Sequence, residues 1–179
     1  MTGVLLITPA VFRDDRGFFL ESYNEAAFAD IGVDAHFVQD NHSRSAKGVL
    51  RGLHYQLHHP QGKLVRVVRG KIFDVAADIR RGSPTFGKWV GTMLDDREMK
   101  AVWIPPGFAH GFCTLSDDVD VTYKCTDFYT PDDEGGVLWN DSLLGIKWPV
   151  ENPIVNAKDR SYAPLTEGRP DLPSYTASG

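Results

Sequence analysis

The chain has 179 residues, of which 42% are hydrophobic and 24% are charged, and its formal net charge is −5. This length predicts one domain over residues 1–179, and the composition excludes a disordered protein. The acidic balance argues against nucleic acid as a partner, because proteins that bind nucleic acids usually concentrate a basic excess.

Two sequence features bear on the compartment. No apolar run approaches about 18 residues, and residues 1–9 lack the positive charge and length of a signal peptide. Cys113 and Cys125 fall in segments that resemble buried strands, so we expect two free buried thiols rather than a disulfide. The expected location is the cytoplasm, with no membrane partner.

Short apolar runs separated by Gly, Pro, Asp or Asn dominate the chain and predict strands. In chain order they cover residues 18–23, 37–43, 49–56, 63–69, 71–78, 86–94, 101–104, 111–115 and 120–128. The runs 63–69 and 71–78 meet at Arg69-Gly70, which predicts a hairpin between them. Asn24 predicts the N-cap of a helix that ends at Gly32, and a second short helix is expected near residues 142–144.

The spacing of these strands, about one in every ten residues, predicts an all-β sandwich or barrel, with a double-sheet jelly roll favoured. We find no internal repeat, linker or low-complexity segment. Residues 167–179 are mostly small and polar and are expected to be poorly ordered.

The segment LRGLHYQ at residues 50–56, followed by GKLVRV at 62–67, places His54 and Lys63 on strand-rich sequence without obvious metal-ligand partners. An imidazole with a pKa of about 6.5 can accept a proton at neutral pH. A nearby ammonium can stabilise the negative charge that forms on a carbonyl oxygen when the neighbouring carbon loses a proton. The pair therefore indicates proton chemistry on a carbonyl-bearing substrate.

Five sequence motifs resemble those of the dTDP-4-dehydrorhamnose 3,5-epimerase family, in the family's order. They are RDDRGFF at 13–19, FVQDNHS at 37–43, LRGLHYQ at 50–56, IPPGFAHGF at 104–112 and AKD at 157–159. The resemblance extends from about Leu6 to Leu165. It implies a cupin-like jelly roll with a few short peripheral helices, a homodimer that exchanges strands, and no metal or cofactor. The implied reaction inverts C3 and C5 of dTDP-4-dehydro-6-deoxy-glucose.

The resemblance also implies roles for individual residues. His54 matches the family's base, Asp159 the carboxylate that pairs with it, Lys63 the residue that stabilises the enolate, and Tyr123 the acid on the opposite face. The implied substrate-binding residues are Arg16 and Arg51 for the diphosphate, Gln39 and Asn41 for the nucleotide, Phe19 and Tyr129 for the thymine, His110 as a supporting hydrogen-bond donor, and Glu21 and Glu134 as weaker matches. Phe19 would come from the neighbouring subunit.

Without the resemblance, plainer interpretations hold for these residues. Tyr123 and Phe19 would be core or sheet-face aromatics, Lys63 a solvated strand charge, and Asp159 a surface residue or helix cap. His54 alone would more often be structural than catalytic.

Three other functions compete with the double epimerase. A metal-binding cupin would use His54, His58, His59 and His110, but the spacing is unsuitable and the Lys63 cation would repel a divalent metal. A relative that epimerises only C3 or only C5 would keep the same catalytic residues. A non-catalytic sugar-nucleotide binder would keep the arginines but is expected to lose the base or the acid.

Overall fold

A computed structural model of the chain describes residues 3–176. Over these residues the chain is built mainly from short strands. They are β1 (Leu5–Ile7), β2 (Phe12–Asp14), β3 (Gly17–Phe19), β4 (Gln39–Ser45), β5 (Leu50–Gln56), β6 (Lys63–Arg69), β7 (Lys71–Asp78), β8 (Trp89–Asp95), β9 (Ala101–Ile104), β10 (Phe108–Thr114), β11 (Val119–Cys125) and β12 (Glu134–Gly136). Helices are α1 (Glu25–Asp30), α2 (Ala157–Ser161) and a 3₁₀ helix at Pro131–Asp133.

Two antiparallel five-stranded sheets face each other. The first sheet has the order β1-β9-β6-β11-β4 and the second has β12-β5-β10-β7-β8, while β2 and β3 form a separate two-stranded hairpin. This arrangement confirms the predicted all-β, cupin-like double-sheet jelly roll with short peripheral helices.

Apolar side chains fill the space between the sheets and cover the outer face of the second sheet. Val65 of the first sheet and Ile72 of the second belong to the core between the sheets. Leu53 packs with Leu165 and Leu172 on the outer face of the second sheet, so the C-terminal part of the chain covers that face. The second sheet is therefore buried on both sides, which explains why β7 and β10 are almost continuously buried.

The predicted hairpin between residues 63–69 and 71–78 is wrong, although the bounds of both strands are correct. β6 pairs with β9 and β11 in the first sheet, whereas β7 pairs with β8 and β10 in the second. Gly70 alone links the strands, which is too short for a two-residue hairpin loop. With a φ of +83° and its N–H donating to Asp96 Oδ2 at 2.6 Å, Gly70 turns the chain from one sheet to the other.

The first helix is confirmed, because Asn24 caps α1 by accepting a hydrogen bond from the Ala27 N–H at 3.2 Å. The second predicted helix, near residues 142–144, is only a turn. Asp141 accepts the Leu144 N–H through its side chain, and Gly145 at a φ of +56° follows directly and ends the turn. Strands β1, β2 and β12 and helix α2 were not predicted.

The prediction of a poorly ordered tail is wrong for residues 167–176. Leu172 is 1% exposed, the Arg81 N–H donates to the Pro173 carbonyl, and the Tyr175 N–H donates to the Arg81 carbonyl. Polar composition misled the prediction because one buried leucine and backbone pairing hold the segment on the second sheet. Residues 177–179 lie outside the described part of the chain.

Two further predictions concern cysteines and membrane segments. Cys113 and Cys125 are free and buried, as predicted. Between residues 3 and 176, no helix combines the length and apolarity needed to cross a bilayer.

Candidate active site

A cavity of about 290 Å³ lies between the two sheets and collects most of the predicted catalytic and binding residues. Its lining consists of Gln39, Asn41, His54, Tyr55, Gln56, Gln61, Lys63, Tyr123, Tyr129 and Glu134. Strand β5 of the second sheet supplies His54, and strands β6 and β11 of the first sheet supply Lys63 and Tyr123. The cavity therefore has the predicted base on one wall and the predicted acid on the facing wall.

His54 forms a pair with Asp159 across 105 positions of sequence. His54 Nε2 lies 2.8 Å from Asp159 Oδ1, and Asp159 Oδ2 accepts the Gly52 N–H at 2.9 Å. Asn156 caps α2 by accepting the Asp159 N–H at 2.7 Å, which fixes the position of the carboxylate. Because an ionised carboxylate accepts the Nε2 proton, Nδ1 is the nitrogen left free to take a proton.

The electrostatics of Asp159 favour this arrangement. The carboxylate is 1% exposed, and burial alone would raise its pKa. Hydrogen bonds from His54 and Gly52 outweigh burial and hold the pKa of Asp159 below its ordinary value. Asp159 therefore stays ionised at neutral pH and can stabilise a protonated His54.

Lys63 and Tyr123 face the pair from the first sheet. Lys63 lies in a partly desolvated environment, which lowers its pKa. In such an environment charge interactions are stronger than in water. Burial raises the pKa of Tyr123, so the phenol is protonated at neutral pH and can donate a proton. No hydrogen-bond partner for Lys63 Nζ occurs among residues 3–176, which leaves this group available to a ligand.

Glu134 is the centre of a second hydrogen-bonded group at the edge of the cavity. Its carboxylate accepts the Tyr129 hydroxyl at 2.5 Å, the Lys158 ammonium at 2.8 Å and the Tyr162 hydroxyl at 3.2 Å. Burial alone would raise the pKa of Glu134, but the bonds from Lys158 and Tyr129 bring it below its ordinary value. The Tyr162 ring also meets the His54 ring edge to face, at 5.9 Å between centroids.

Several of these residues were not predicted. Lys158 precedes Asp159 in the AKD motif, and Tyr162 follows Asp159 by three positions. Both could have been assigned to the site if helix α2 had been predicted around Asp159. Gln56 also lines the cavity, and its side chain joins β5 to the Phe128 carbonyl at 3.1 Å and the Thr130 N–H at 2.8 Å.

Three predicted nucleotide-binding residues form a chain of hydrogen bonds along one wall. Gln39 accepts the Tyr129 N–H at 2.8 Å and donates to Asn41 Oδ1 at 3.0 Å, and Asn41 contacts the Cys125 sulfur at 3.5 Å. Arg51 is exposed on β5 and donates to the Ser45 hydroxyl at 3.0 Å, outside the cavity lining. Hydrogen bonds therefore orient the two amides on this wall, whereas Arg51 lies at its margin.

His110 is close to His54 but is not part of the cavity lining. It is the cross-strand partner of His54, is 7% exposed, and its Nε2 lies 2.7 Å from Asp74 Oδ2. Its role as a supporting donor to the substrate stays a prediction.

Arg16, Phe19 and Glu21 are not brought to the cavity within one chain. Arg16 and Phe19 lie on the exposed β2–β3 hairpin, where Arg16 pairs with Asp14 and Phe19 is 69% exposed. Glu21 follows the hairpin and accepts the Asn24 side chain at 3.3 Å. A role for these three residues at a site requires a second subunit.

The histidines considered for a metal site each pair with a different carboxylate. His58 Nδ1 lies 2.7 Å from Asp133, and His59 Nδ1 lies 3.5 Å from Asp127. Within residues 3–176, no group of three or more His, Cys, Asp or Glu side chains is arranged to hold a metal ion.

Comparison with known proteins points to one family. The family model described as dTDP-4-dehydrorhamnose 3,5-epimerase matches residues 1–167. The chain is 56% identical over 158 residues to the dTDP-4-dehydrorhamnose 3,5-epimerase of Shigella flexneri, covering 87% of each protein. It is 42% identical over 177 residues to the dTDP-4-dehydrorhamnose 3-epimerase of Streptomyces niveus, covering 97% of this chain and 86% of that protein.

A solved structure gives the same result at the level of fold. The dTDP-6-deoxy-D-glucose-3,5-epimerase of Legionella pneumophila Philadelphia 1, in complex with dTDP-4-keto-L-rhamnose, superposes with a TM-score of 0.94 at 48% identity. The match covers 97% of this chain and 94% of that one.

Proposed function

The chain belongs to the dTDP-4-dehydrorhamnose 3,5-epimerase family, and we propose that it is an isomerase that inverts C3 and C5 of dTDP-4-dehydro-6-deoxy-glucose. The product is dTDP-4-dehydro-rhamnose, an intermediate on the route to dTDP-L-rhamnose. One observation carries the proposal beyond the family relationship. His54 and Tyr123 enter the same cavity from facing sheets, so a sugar ring bound between the sheets has a base on one face and an acid on the other.

The first half of each inversion is proton abstraction. The C4 ketone acidifies the hydrogens on C3 and C5, and Nδ1 of His54 takes one of them. The two electrons of the broken C–H bond form a C=C bond, and the C4 oxygen becomes an enolate. Asp159 stabilises the imidazolium, and the Lys63 ammonium stabilises the enolate oxygen in a partly desolvated site.

The second half returns a proton to the opposite face. Tyr123 donates its phenolic proton to the carbon, the C=C electrons form the new C–H bond, and the ketone is restored. The raised pKa of Tyr123 ensures that the phenol is protonated before the reaction. The phenolate then regains a proton from water and His54 releases one, so the net change is an inversion without a redox step.

The nucleotide occupies the margin of the cavity. Gln39 and Asn41 hydrogen-bond the nucleotide, Tyr129 contacts the thymine, and Arg51 binds the diphosphate through charge-assisted hydrogen bonds. Stacking of a base on an aromatic ring is worth about 1–3 kcal/mol, so Tyr129 can contribute substantially to affinity.

A homodimer completes the site. The β2–β3 hairpin exposes Phe12, Phe18 and Phe19 by 65%, 56% and 69%, which is a concentration of exposed aromatic side chains expected at an interface. Insertion of this hairpin into a second copy brings Arg16 to the diphosphate, Phe19 to the thymine and Glu21 to the cavity margin. The unpaired state of both cysteines supports a reducing compartment, the cytoplasm.

Paired variants of the two facing residues test the proposal. His54→Gln and Tyr123→Phe remove the base and the acid while retaining similar shapes, and each is expected to lower turnover by about 10²- to 10⁴-fold. Affinity for dTDP, measured by calorimetry, is expected to stay within about threefold of wild type, because neither residue holds the nucleotide. His36→Gln is the matched control, since His36 is 82% exposed and outside the cavity. Wild-type turnover in both variants would overturn the assigned roles, whereas dTDP binding by a wild-type protein without any turnover would favour a sugar-nucleotide binder.

The alternative function is inversion at only one carbon, because one relative is named as a 3-epimerase. The higher identity to a relative named as a 3,5-epimerase favours inversion at both carbons. Deuterium incorporation at only one of the two carbons would assign the chain to the monofunctional class.

A further inference from the structure

Arg169 and Asp171 form an ion pair on the outer face of the second sheet, in which the arginine is mostly covered and the carboxylate is half exposed. Both residues lie beyond residue 167, where the family match ends, and the proposed mechanism does not use them. The Arg169 side chain is only 12% exposed, and its Nε donates to Asp171 Oδ1 at 2.9 Å and its Nη2 to Asp171 Oδ2 at 2.5 Å. A guanidinium held this way by a carboxylate has little freedom to move.

The same guanidinium bridges strands β5 and β12. Arg169 Nη2 donates to the Tyr55 hydroxyl on β5 at 3.0 Å and to the Gly136 carbonyl on β12 at 3.1 Å. Tyr55 in turn donates to Asp171 Oδ2 at 3.1 Å. Arg169 Nη1 donates to the Ala163 carbonyl at 3.0 Å, which attaches the group to the segment after α2.

Strand β12 has little intrinsic stability. It is a three-residue edge strand with two glycines, Gly135 and Gly136, and glycine weakens a strand by its backbone entropy. A Cβ at either position would displace an aromatic ring, because it would lie 2.5 Å from the Tyr55 ring at Gly135 and 2.3 Å from the Tyr162 ring at Gly136. Val137 and Leu53 exchange backbone hydrogen bonds. In an antiparallel pair the next residue, Gly136, then directs its carbonyl away from β5. Arg169 donates a hydrogen bond to this carbonyl.

This strand lies directly against the catalytic base. Gly136 is the cross-strand partner of His54, and Glu134 at the other end of β12 holds Tyr129, Lys158 and Tyr162. A displacement of β12 therefore moves the Glu134 group and the Tyr162 ring relative to the His54 imidazole.

We propose that Arg169, oriented by Asp171, is a positioning residue that holds β12 against β5 and thereby fixes the Glu134 group relative to His54. The kinetic consequence rests on the proposed epimerase function, whereas the structural consequence does not. Arg169 touches no substrate in this proposal and acts only through the strands that it joins.

Arg169→Ala and Arg169→Lys test the proposal. Lysine keeps the charge and the aliphatic stem but cannot reach Asp171, Tyr55 and Gly136 together, because it lacks the planar fork. Arg69→Ala is the matched control, since Arg69 forms an exposed ion pair with Asp118 at 3.7 Å. Three quantities are measured in each protein: hydrogen exchange at the Val137 amide with the Val75 amide as a core reference, the affinity for dTDP, and the rate of deuterium incorporation into the substrate in D2O.

Both Arg169 variants are expected to speed exchange at Val137 about tenfold or more without changing Val75, because only the edge strand is released. Deuterium incorporation should slow by about ten- to a hundredfold, as expected for a misplacement of about 1 Å. The dTDP affinity should stay within about threefold, and Arg69→Ala should match wild type in all three measurements.

Unchanged exchange at Val137 in both variants would overturn the proposal, whether or not the protein is an epimerase. Faster exchange with wild-type deuterium incorporation would refute the positioning role. Equally faster amide exchange at Val137 and Val75, together with weaker dTDP binding, would show general destabilisation of the fold. That result would also refute the positioning role. A wild-type protein that incorporates no deuterium would refute the proposed function instead, and exchange at Val137 would still decide whether Arg169 holds β12.

Discussion

Replacement of Asp159 by asparagine tests how the catalytic pair works. The carboxylate is 1% exposed and accepts hydrogen bonds from His54 Nε2 at 2.8 Å and the Gly52 N–H at 2.9 Å. Asparagine has one carbonyl oxygen, which remains with Gly52, so its NH₂ group faces His54. Nε2 must then accept a hydrogen bond, the proton moves to Nδ1, and the nitrogen facing the substrate can no longer act as a base.

The size of the effect follows from two losses. A hydrogen bond between charged groups is worth about 1.5–3 kcal/mol, and the tautomer change adds a further cost that in another histidine–carboxylate pair reaches about 10⁴ in rate. The two losses overlap because both arise at the same hydrogen bond, so the expected increase in the activation barrier is about 3–5 kcal/mol, or about 10²- to 10⁴-fold in turnover. The fold should persist, because the amide keeps the shape of the side chain and the bond from Gly52.

The assay is the rate of deuterium incorporation at C3 and C5 of the substrate in D2O, followed by proton NMR, with dTDP affinity measured in parallel. Asp118→Asn serves as the control, since Asp118 is 63% exposed and pairs with Arg69 across 3.7 Å. Turnover of Asp159→Asn above about a third of the wild-type value would refute a catalytic role for the pair, because so small a loss is well under 1 kcal/mol in the barrier.

Three further predictions follow from the geometry. Lys63→Met should lower turnover by about 10²- to 10³-fold with dTDP affinity unchanged, because it removes the stabiliser of the enolate oxygen; a steady-state assay that shows only a raised KM would contradict this role. Gly52→Ala should destabilise the fold by about 2–5 kcal/mol in denaturant unfolding. The new Cβ would lie 2.5 Å from Gly111 Cα, and the φ of Gly52, +123°, is unfavourable for alanine. A change below about 1 kcal/mol would contradict the crowding. Asp78 is fully buried, and hydrogen bonds led by Arg80 outweigh burial and lower its pKa from 3.8 to about 2. Ionised Asp78 should contribute about 2 kcal/mol to the free energy of unfolding above pH ~4, and this contribution should be lost as the pH falls towards 2. Asp78→Asn should therefore flatten the dependence of the unfolding free energy on pH between these values. An unchanged slope would contradict this role of Asp78.

Strands with clear periodicity could be predicted from the sequence, but their pairing could not. The bounds of β6 and β7 match the prediction because apolar residues and Gly70 mark them locally. Their sheet partners β9, β11, β8 and β10 are set by contacts between distant segments, and a local turn signal at Gly70 suggested the wrong neighbour. β12 was missed because its glycines weaken the local strand signal, and only the rings that pack on them explain their presence.

The candidate site divides in the same way. His54 and Lys63 stand out locally, but the partnership of His54 with Asp159 depends on two elements 105 positions apart and came from the family resemblance. Glu134 was a weak match, yet it gathers three side chains that no local pattern connects. The tail containing Arg169 has the composition of a disordered segment, and its contacts become visible only when the second sheet is in place.

Proton NMR of the wild-type protein with dTDP-4-dehydro-6-deoxy-glucose in D2O, coupled to a reductase that traps the rhamnose product, tests the central claim most directly. The placement of His54 and Tyr123 on facing walls predicts deuterium at both C3 and C5 and formation of dTDP-L-rhamnose. Deuterium at neither carbon would contradict the claim that this cavity performs proton transfer on both faces of the sugar.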